Sequence, residues 1–204
     1  MLSSITPLGE RAKNNRWALT ATFYIAGSAL GGAVLGLVLS PLSILASSLE
    51  PSTVLGVLSL VLIGAAVLDA TGIPRPSLPR QVDENWLVAY RGWVYGAGFG
   101  IQLGFGLVTI ITSWSTWAVV AAVALAPADL ASPLAGAVAV GATFGVARGM
   151  VLLFARTATD ADRLAALHRR IAEGARITSR ATIWSLAALG TAGMAAVLAT
   201  GGTT

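Results

Sequence analysis

The chain has 204 residues, of which 55% are hydrophobic and only 11% are charged, with a formal net charge of +4 and a mean hydropathy of +0.78. A soluble domain carries charge on about a quarter of its residues, so this composition excludes an ordinary soluble domain and indicates a lipid surrounding. Only helices or closed barrels satisfy their backbone amides inside a bilayer, and the alternation typical of barrel strands is missing. We therefore predict an all-α fold, a polytopic integral membrane helical bundle that forms a single transmembrane domain over residues 1–204.

Five apolar blocks are long enough to cross a membrane, because about 20 helical residues span a hydrocarbon core of roughly 30 Å. In chain order these blocks are residues 17–39, 53–70, 92–112, 134–155 and 181–200. A sixth block, residues 114–126, is shorter and is followed by Pro127 and Asp129. It either re-enters the membrane from one side or crosses it as a short sixth span. We favour five full spans plus the re-entrant segment.

Basic residues fix the orientation, because Lys and Arg near span ends favour the cytoplasmic side. They cluster before the first block, between the second and third, and before the last, so residues 1–16, 74–91 and 157–180 are predicted to be cytoplasmic. The tryptophans fall near the predicted boundaries, as expected for rings that prefer the headgroup level. We expect a multi-pass protein of the plasma membrane with its N-terminus in the cytoplasm.

Residues 157–180 have the pattern of an amphipathic surface helix. Leu164, Leu167 and Ile171 share one face, and the other positions include four candidates for binding lipid headgroups. These candidates are Arg163, Arg169, Arg170 and Arg176. Such a helix suits anionic headgroups at the membrane surface, although a solvated connecting helix would show the same charges. The predicted partners are therefore the lipid bilayer and its anionic headgroups, and the basic charge needs no nucleic acid to explain it.

Glycines recur every four residues on three of the blocks, which predicts glycine-zipper packing. The positions are Gly27 and Gly31, then Gly92, Gly96, Gly100 and Gly104, then Gly141, Gly145 and Gly149. Small residues at this spacing let two helix backbones approach closely inside lipid. The faces pair either within one chain or between chains, so a homo-oligomer and a complex with other membrane subunits both remain open.

Three polar residues within or near the spans are candidates for a solute path, because polar groups are costly inside a bilayer. They are Asp69 at the end of the second block, Gln102 near the middle of the third, and Arg148 in the fourth. In a transport protein, Arg148 and Asp69 would flank a path for an anion or a proton. The structural alternatives are a buried ion pair, an arginine that reaches the headgroups, and a hydrogen bond between helices for Gln102.

Catalytic chemistry is constrained by the missing residue types. The chain has no cysteine and a single histidine, His168, so thiol chemistry, thiolate metal sites and bis-histidine haem within one chain are excluded. No paired carboxylates are visible in the sequence. We predict no catalytic site, no metal site and no cofactor.

The run Arg80-Gln81-Val82-Asp83-Glu84-Asn85-Trp86, followed by Tyr90-Arg91-Gly92-Trp93-Val94-Tyr95-Gly96-Ala97-Gly98-Phe99-Gly100, resembles small actinobacterial membrane proteins. These proteins are similar to the sulfite-exporter and cytochrome c biogenesis transmembrane families of the lysine-exporter superfamily. The resemblance implies six spans in two three-helix halves and the movement of small solutes or reducing equivalents. The paired intramembrane cysteines of the cytochrome c biogenesis members are missing here, so thiol electron transfer is not implied.

Two functions of different class follow from these observations. The first is a permease-like or exporter-like transporter of a small solute, which the resemblance favours. The alternative is a non-catalytic membrane subunit or scaffold of a larger membrane complex, which the scarcity of polar residues within the spans favours. Neither reading requires an enzyme.

Overall fold

The computed structural model describes residues 5–77, 85–109, 111–126 and 132–201, and the regular elements in these segments are all helical. The α-helices are α1 (Pro7–Ala12), α2 (Trp17–Ala46), α3 (Pro51–Thr71), α4 (Trp86–Ala89), α5 (Gly92–Phe105), α6 (Ser115–Ala124), α7 (Pro133–Met150) and α8 (Ala161–Gly201), with a 3₁₀ helix over Val151–Thr157. The predicted helical class is confirmed. Pro127, Asp129 and the 80–84 part of the quoted run lie outside the described residues.

Four helical segments are long and apolar enough to cross a membrane: Trp17–Ala46, Pro51–Thr71, Pro133–Thr157 and Ala161–Thr200. Their outer surfaces are apolar, since large hydrophobic side chains such as Leu45, Phe154 and Trp184 are about two-thirds exposed or more. Lipid is the solvent in which such surfaces are stable. The predicted set of several apolar membrane-type helices is therefore confirmed, while the count of five or six spans stays a prediction.

Helix α2 continues past Pro41 to Ala46, seven residues beyond the predicted end of the first span at Leu39. A proline has no N–H, so it leaves the carbonyl four residues earlier without its helical partner. The Ser40 hydroxyl donates a hydrogen bond to the carbonyl of Leu37 at 2.8 Å. This side chain supplies the donor that Pro41 lacks and allows the helix to continue.

The third predicted span is shorter in the structure, because α5 ends at Phe105 after 14 residues. Gly106 follows with a φ of +78°, a left-handed conformation that favours glycine and interrupts a helix. A 14-residue helix is about 21 Å long, which is less than the thickness of a hydrocarbon core. The short sixth block corresponds to α6, a helix of 10 residues.

The contacts of the chain divide it into two compact units. The first contains residues 1–35, 78–110 and 141–176, and the second contains residues 36–77, 111–140 and 177–204. In the first unit, aromatic and aliphatic side chains from α2, α5 and the 3₁₀ helix form a core with the segment before α1. Its buried members are Ile5, Ala21, Tyr24, Tyr95, Phe99 and Leu152.

The second unit has two small clusters. One lies where α3, α6 and the later part of α8 meet, with Ala65, Ala66, Ala118 and Leu186 buried. The other consists of Val123, Ala126 and Ala137, with Leu39, Val119 and Val140 packed against it. Most of these side chains are small, so the helices approach closely.

The predicted surface helix and the last predicted span are continuous in the structure. Helix α8 runs for 41 residues from Ala161 to Gly201, with no break near Arg180, where the surface helix was predicted to end. A helix of this length measures about 60 Å, roughly twice the thickness of a hydrocarbon core. Its N-terminal, arginine-rich part must therefore extend beyond the hydrocarbon if the C-terminal part spans it.

Candidate functional site

Ser28 lies where α2 is in close contact with both α5 and α7 in the first unit. A Cβ atom added at Gly104 or at Gly145 would lie closer than 3.0 Å to the Ser28 carbonyl oxygen, a separation that real Cβ atoms essentially never show. A Cβ atom at Gly149 would lie 3.0 Å from the Ser28 hydroxyl oxygen. Glycines of two helices thus pack on one residue of α2, and larger residues do not fit there.

The other predicted packing glycines in this unit also face backbone or short side chains. A Cβ atom added at Gly27 would collide with Ala97, one at Gly31 with Ile101, one at Gly92 or Gly96 with Thr20, and one at Gly100 with Tyr24. In the same way, a Cβ atom added at Gly32 would collide with the Gly141 carbonyl. Gly32 was not predicted, and neither was Gly36, which packs on Ala137 in the second unit. These two glycines are themselves four residues apart on α2, so the spacing that predicts the other positions could have found them as well.

Arg148 lies beside the point where α5 ends. A Cβ atom on Gly106 would be 3.1 Å from the Arg148 Nη1 atom, and the guanidinium carbon lies 5.3 Å from the centre of the Phe144 ring, within cation–π range. Nη1 is buried and has no hydrogen-bond partner among the described residues. The glycine at position 106 therefore leaves room for the Arg148 guanidinium, because a side chain there would crowd the Nη1 atom.

Gln102 occupies a half-buried position on α5, the helix that also carries the glycines facing α2. Its amide makes no side-chain hydrogen bond within the described part of the chain. The residue is therefore a free polar group on an apolar helix, and the predicted role in a solute path stays a prediction.

Asp69 joins the end of α3 to the start of α6 in the second unit. Its carboxylate accepts a hydrogen bond from the Ser113 hydroxyl at 2.6 Å and another from the Trp114 backbone N–H at 2.9 Å. Arg75 lies within ion-pair distance at 3.9 Å, and the Arg75 Nε donates to the Ile111 carbonyl at 3.2 Å. The carboxylate has enough local partners to act as a structural link between the two helices.

Two indole rings reinforce this link. The Trp114 Nε1 donates to the Ile73 carbonyl at 3.0 Å, and the Trp117 Nε1 donates to the Pro76 carbonyl at 3.2 Å. These bonds satisfy carbonyls in the segment after α3, which has no helical partners of its own. Both tryptophans were predicted to lie at a membrane boundary.

Glu10 is a buried polar residue that the sequence analysis did not single out. Its side chain is fully buried, and it accepts hydrogen bonds from the Thr20 hydroxyl at 2.8 Å and from the Tyr95 hydroxyl. The Asn15 amide also donates to the Tyr95 oxygen at 3.4 Å, and the Lys13 amine lies 5.3 Å from the centre of the Tyr95 ring. One carboxyl group thus joins α1, α2 and α5.

The local sequence explains how Glu10 reaches this position. Thr6 caps α1 by accepting a hydrogen bond from the Gly9 N–H at 3.1 Å, and Pro7 begins the helix. A helix start was readable from Thr6 and Pro7. The burial of Glu10 was not, because its partners Thr20 and Tyr95 lie on other helices and no local pattern connects them.

The four headgroup candidates lie on the exposed surface of α8. Arg169, Arg170 and Arg176 are exposed, and Arg163 forms an exposed ion pair with Asp160 at 3.2 Å. An exposed pair contributes little to stability. These side chains are accessible to a ligand in solution or at a membrane surface, and their role with lipid stays a prediction.

Comparison with known proteins shows a similarity to a protein of methylamine utilization. The chain is 29% identical over 199 residues to the methylamine utilization protein MauF of Paracoccus versutus, and the match covers 92% of this chain and 71% of the relative. No family model matches the chain, and no solved structure matches it. The match to MauF therefore extends over nearly the whole chain rather than over one short motif.

Proposed function

We propose that this chain is a multi-pass membrane protein of a small-amine utilization system, in which it moves a small solute across the membrane. The similarity to MauF over 92% of the chain carries the first part of the proposal. The second part is supported by polar groups within apolar helices, above all Arg148, whose buried Nη1 atom has no hydrogen-bond partner among the described residues. A charged group in such a place is a candidate for a functional site because its burial is costly.

The physiological part is tested by deleting the gene from its host and measuring growth with methylamine or with ammonium as the sole nitrogen source. We expect growth on methylamine to be lost, growth on ammonium to be unchanged, and the wild-type gene to restore growth. Equal growth of the deletion strain and its parent on methylamine would contradict the proposal. The comparison with ammonium separates a specific defect from general damage to the membrane.

The transport part requires a flux measurement. The purified chain is reconstituted in lipid vesicles, and the entry of labelled methylammonium, acetate and chloride is compared with entry into vesicles without protein. We expect protein-dependent flux of at least one solute, with a reduced rate in Arg148→Gln. The Arg11→Gln variant is the matched control, since Arg11 is exposed and lies outside the apolar helical segments.

A second candidate function is a non-catalytic membrane subunit, and the low burial of α8 favours it. Only 6% of its most apolar stretch is buried by the rest of the chain, compared with 39% for α2. This surface is covered by lipid in a single chain, and by protein in a complex or a homo-oligomer. Absence of flux together with co-purification of another membrane protein from the native host would favour this function.

The proposed topology has a cytoplasmic N-terminus in the plasma membrane, five full spans and a re-entrant segment that contains α6. Within it, we propose that the glycines of α2, α5 and α7 form a glycine zipper inside one chain. The exposed arginines of α8 are proposed to meet anionic headgroups on the cytoplasmic side, which agrees with the preference of Lys and Arg for that side.

A further inference from the structure

The middle of α8 carries an exposed patch in which two arginines stand beside two large apolar side chains. Arg176 and Arg180 are exposed, and Ile177 and Trp184 are each 73% exposed. All four belong to one continuous helix. Positions four or seven apart lie on one side of an α-helix, and these spacings bring the four side chains together. We call them the Arg180 patch.

A different face of α8 packs within the second unit. Leu186 is buried in the cluster with Ala65, Ala66 and Ala118, and a Cβ atom added at Gly190 would lie 2.9 Å from the Ser59 carbonyl oxygen of α3. These contacts leave the apolar side chains of the Arg180 patch without cover from the described part of the chain. Large apolar surfaces of this kind are stable only against lipid or another apolar surface.

The two guanidinium groups of the patch are available to an external anion. The ion pairs among the described residues involve Arg75 and Arg163, so neither arginine of the patch is neutralised in this way. Glu173 is exposed and lies three residues before Arg176, and it belongs to neither ion pair. The Arg180 patch therefore combines free positive charge with free apolar surface.

The sequence of α8 places this patch at the edge of the hydrocarbon core. Residues 181–201 carry no charged side chain, and about 20 helical residues span the core. Arg180 then lies at the edge and Arg176 about 6 Å farther out, within a headgroup layer that is roughly 5–8 Å thick on each side. Trp184 lies about one turn inside the edge, a depth that suits an interfacial indole. Arg169 lies about 16 Å outside the edge, beyond the headgroup layer.

We infer that the Arg180 patch binds an anionic phospholipid, whose phosphate accepts hydrogen bonds from Arg176 and Arg180 while an acyl chain lies along Ile177 and Trp184. The N–H donors of a guanidinium match the oxygens of a phosphate. A soluble acidic protein would satisfy the arginines but would not cover the apolar half of the patch. The inference rests on the proposed position of α8 in the membrane, and it narrows the lipid contacts of that proposal to two of the exposed arginines.

The test measures lipid contact at Trp184 in the purified full chain. The chain is placed in phosphatidylcholine nanodiscs with a small fraction of phosphatidylglycerol, and one of the two lipids at a time carries bromine on its acyl chains. Bromine quenches the fluorescence of a neighbouring indole, and the difference between the wild type and Trp184→Phe isolates the contribution of Trp184 from that of the other tryptophans. We expect brominated phosphatidylglycerol to quench Trp184 more per molecule than brominated phosphatidylcholine, in a saturable way.

Charge variants locate the bound headgroup. We expect the preference for phosphatidylglycerol to fall about fivefold in Arg176→Gln and in Arg180→Gln, since each arginine near an anionic surface contributes to binding. Arg169→Gln is the matched control: it removes the same charge from the same helix outside the headgroup layer, and the preference should be unchanged. All three side chains are exposed, so these variants should fold. Each variant is measured with and without Trp184→Phe.

Equal quenching of Trp184 by the two brominated lipids, or an equal loss of preference in all three charge variants, overturns the inference. Absence of any quenching overturns it together with the proposed position of α8 in the membrane. The measurement depends on neither growth nor flux. A chain that keeps its preference for phosphatidylglycerol but fails those two experiments would therefore refute the proposed function and leave the lipid site in place.

Discussion

Tyr95 donates its hydroxyl to the carboxyl group of Glu10, 85 positions earlier in the chain, and both side chains are fully buried. This bond holds the short helix α1 against α5, and the Thr20 hydroxyl attaches the same carboxyl group to α2. The N-terminal segment is therefore an integral part of the first unit, although its composition resembles that of a polar leader before a span.

Replacing Tyr95 by Phe should destabilize the protein by about 1–3 kcal/mol, because a buried carboxyl group loses a donor. The measurement is thermal or denaturant unfolding of the purified variant in detergent micelles. Tyr90→Phe is the matched control: Tyr90 is half-exposed, and its ring contact with Trp86 does not involve the hydroxyl. Equal stability of the two variants would contradict a structural role for the bond to Glu10.

Replacing Gly100 by Ala should destabilize the chain by at least about 1–3 kcal/mol, the range typical of overpacking. The new Cβ would lie closer than 3.0 Å to the Tyr24 carbonyl, which belongs to the backbone and cannot turn away. Gly56→Ala provides the comparison, since nothing lies within 4 Å of its Cβ position, and alanine favours a helix by up to about 1 kcal/mol. The two variants should therefore shift the unfolding midpoint in opposite directions, and a shift of the same sign would be inconsistent with close packing at Gly100.

Replacing Asp69 by Ala should weaken the attachment of α6 to α3 by about 1–3 kcal/mol, because the Trp114 N–H and the Ser113 hydroxyl lose their acceptor. Asp69→Asn keeps one acceptor oxygen, so its stability should lie between that of Asp69→Ala and that of the wild type. Unfolding in detergent measures both effects. Glu50→Gln is the control, since Glu50 precedes α3 without a capping hydrogen bond. A loss of stability in Glu50→Gln as large as that in Asp69→Ala would show that replacing any acidic residue near α3 is harmful.

Topology can be measured with single cysteines, since the natural chain has none. We expect a membrane-impermeant thiol reagent to label Thr159→Cys from the cytoplasmic side, and Asp129→Cys and Thr200→Cys from the outside. This pattern requires the segment around α6 to re-enter the membrane. Labelling of Thr159→Cys from the outside would instead require six full spans.

The positions of the long helices could be predicted from the sequence because they depend on hydropathy and length alone. The predicted span over residues 53–70 lies within α3, and α2 begins at Trp17 as predicted. The predicted ends of the helices were less accurate than their positions. The Ser40 hydroxyl replaces the hydrogen-bond donor that Pro41 lacks, so α2 continues past its predicted end. The backbone conformation of Gly106 ends α5 within an apolar stretch.

The polar contacts were harder to predict than the helices. Arg148, Gln102 and Asp69 were singled out because they are polar residues in apolar surroundings, but their partners depend on how the helices pack. Asp69 contacts Ser113 and Trp114 across two helices. Glu10 was missed for a related reason: it lies in a polar segment, and only tertiary packing buries it.

The contacts of Ser28 can form only after α5 and α7 have been synthesised, because both helices follow α2 in the chain. Its carbonyl is approached by Gly104 of α5 and by Gly145 of α7, and α7 leaves the ribosome long after α2. Before α7 is made, the side of α2 around Ser28 therefore lacks one of its two partner helices. A nascent chain stalled before α7 would therefore leave the small residues around Ser28 exposed to the surroundings of α2.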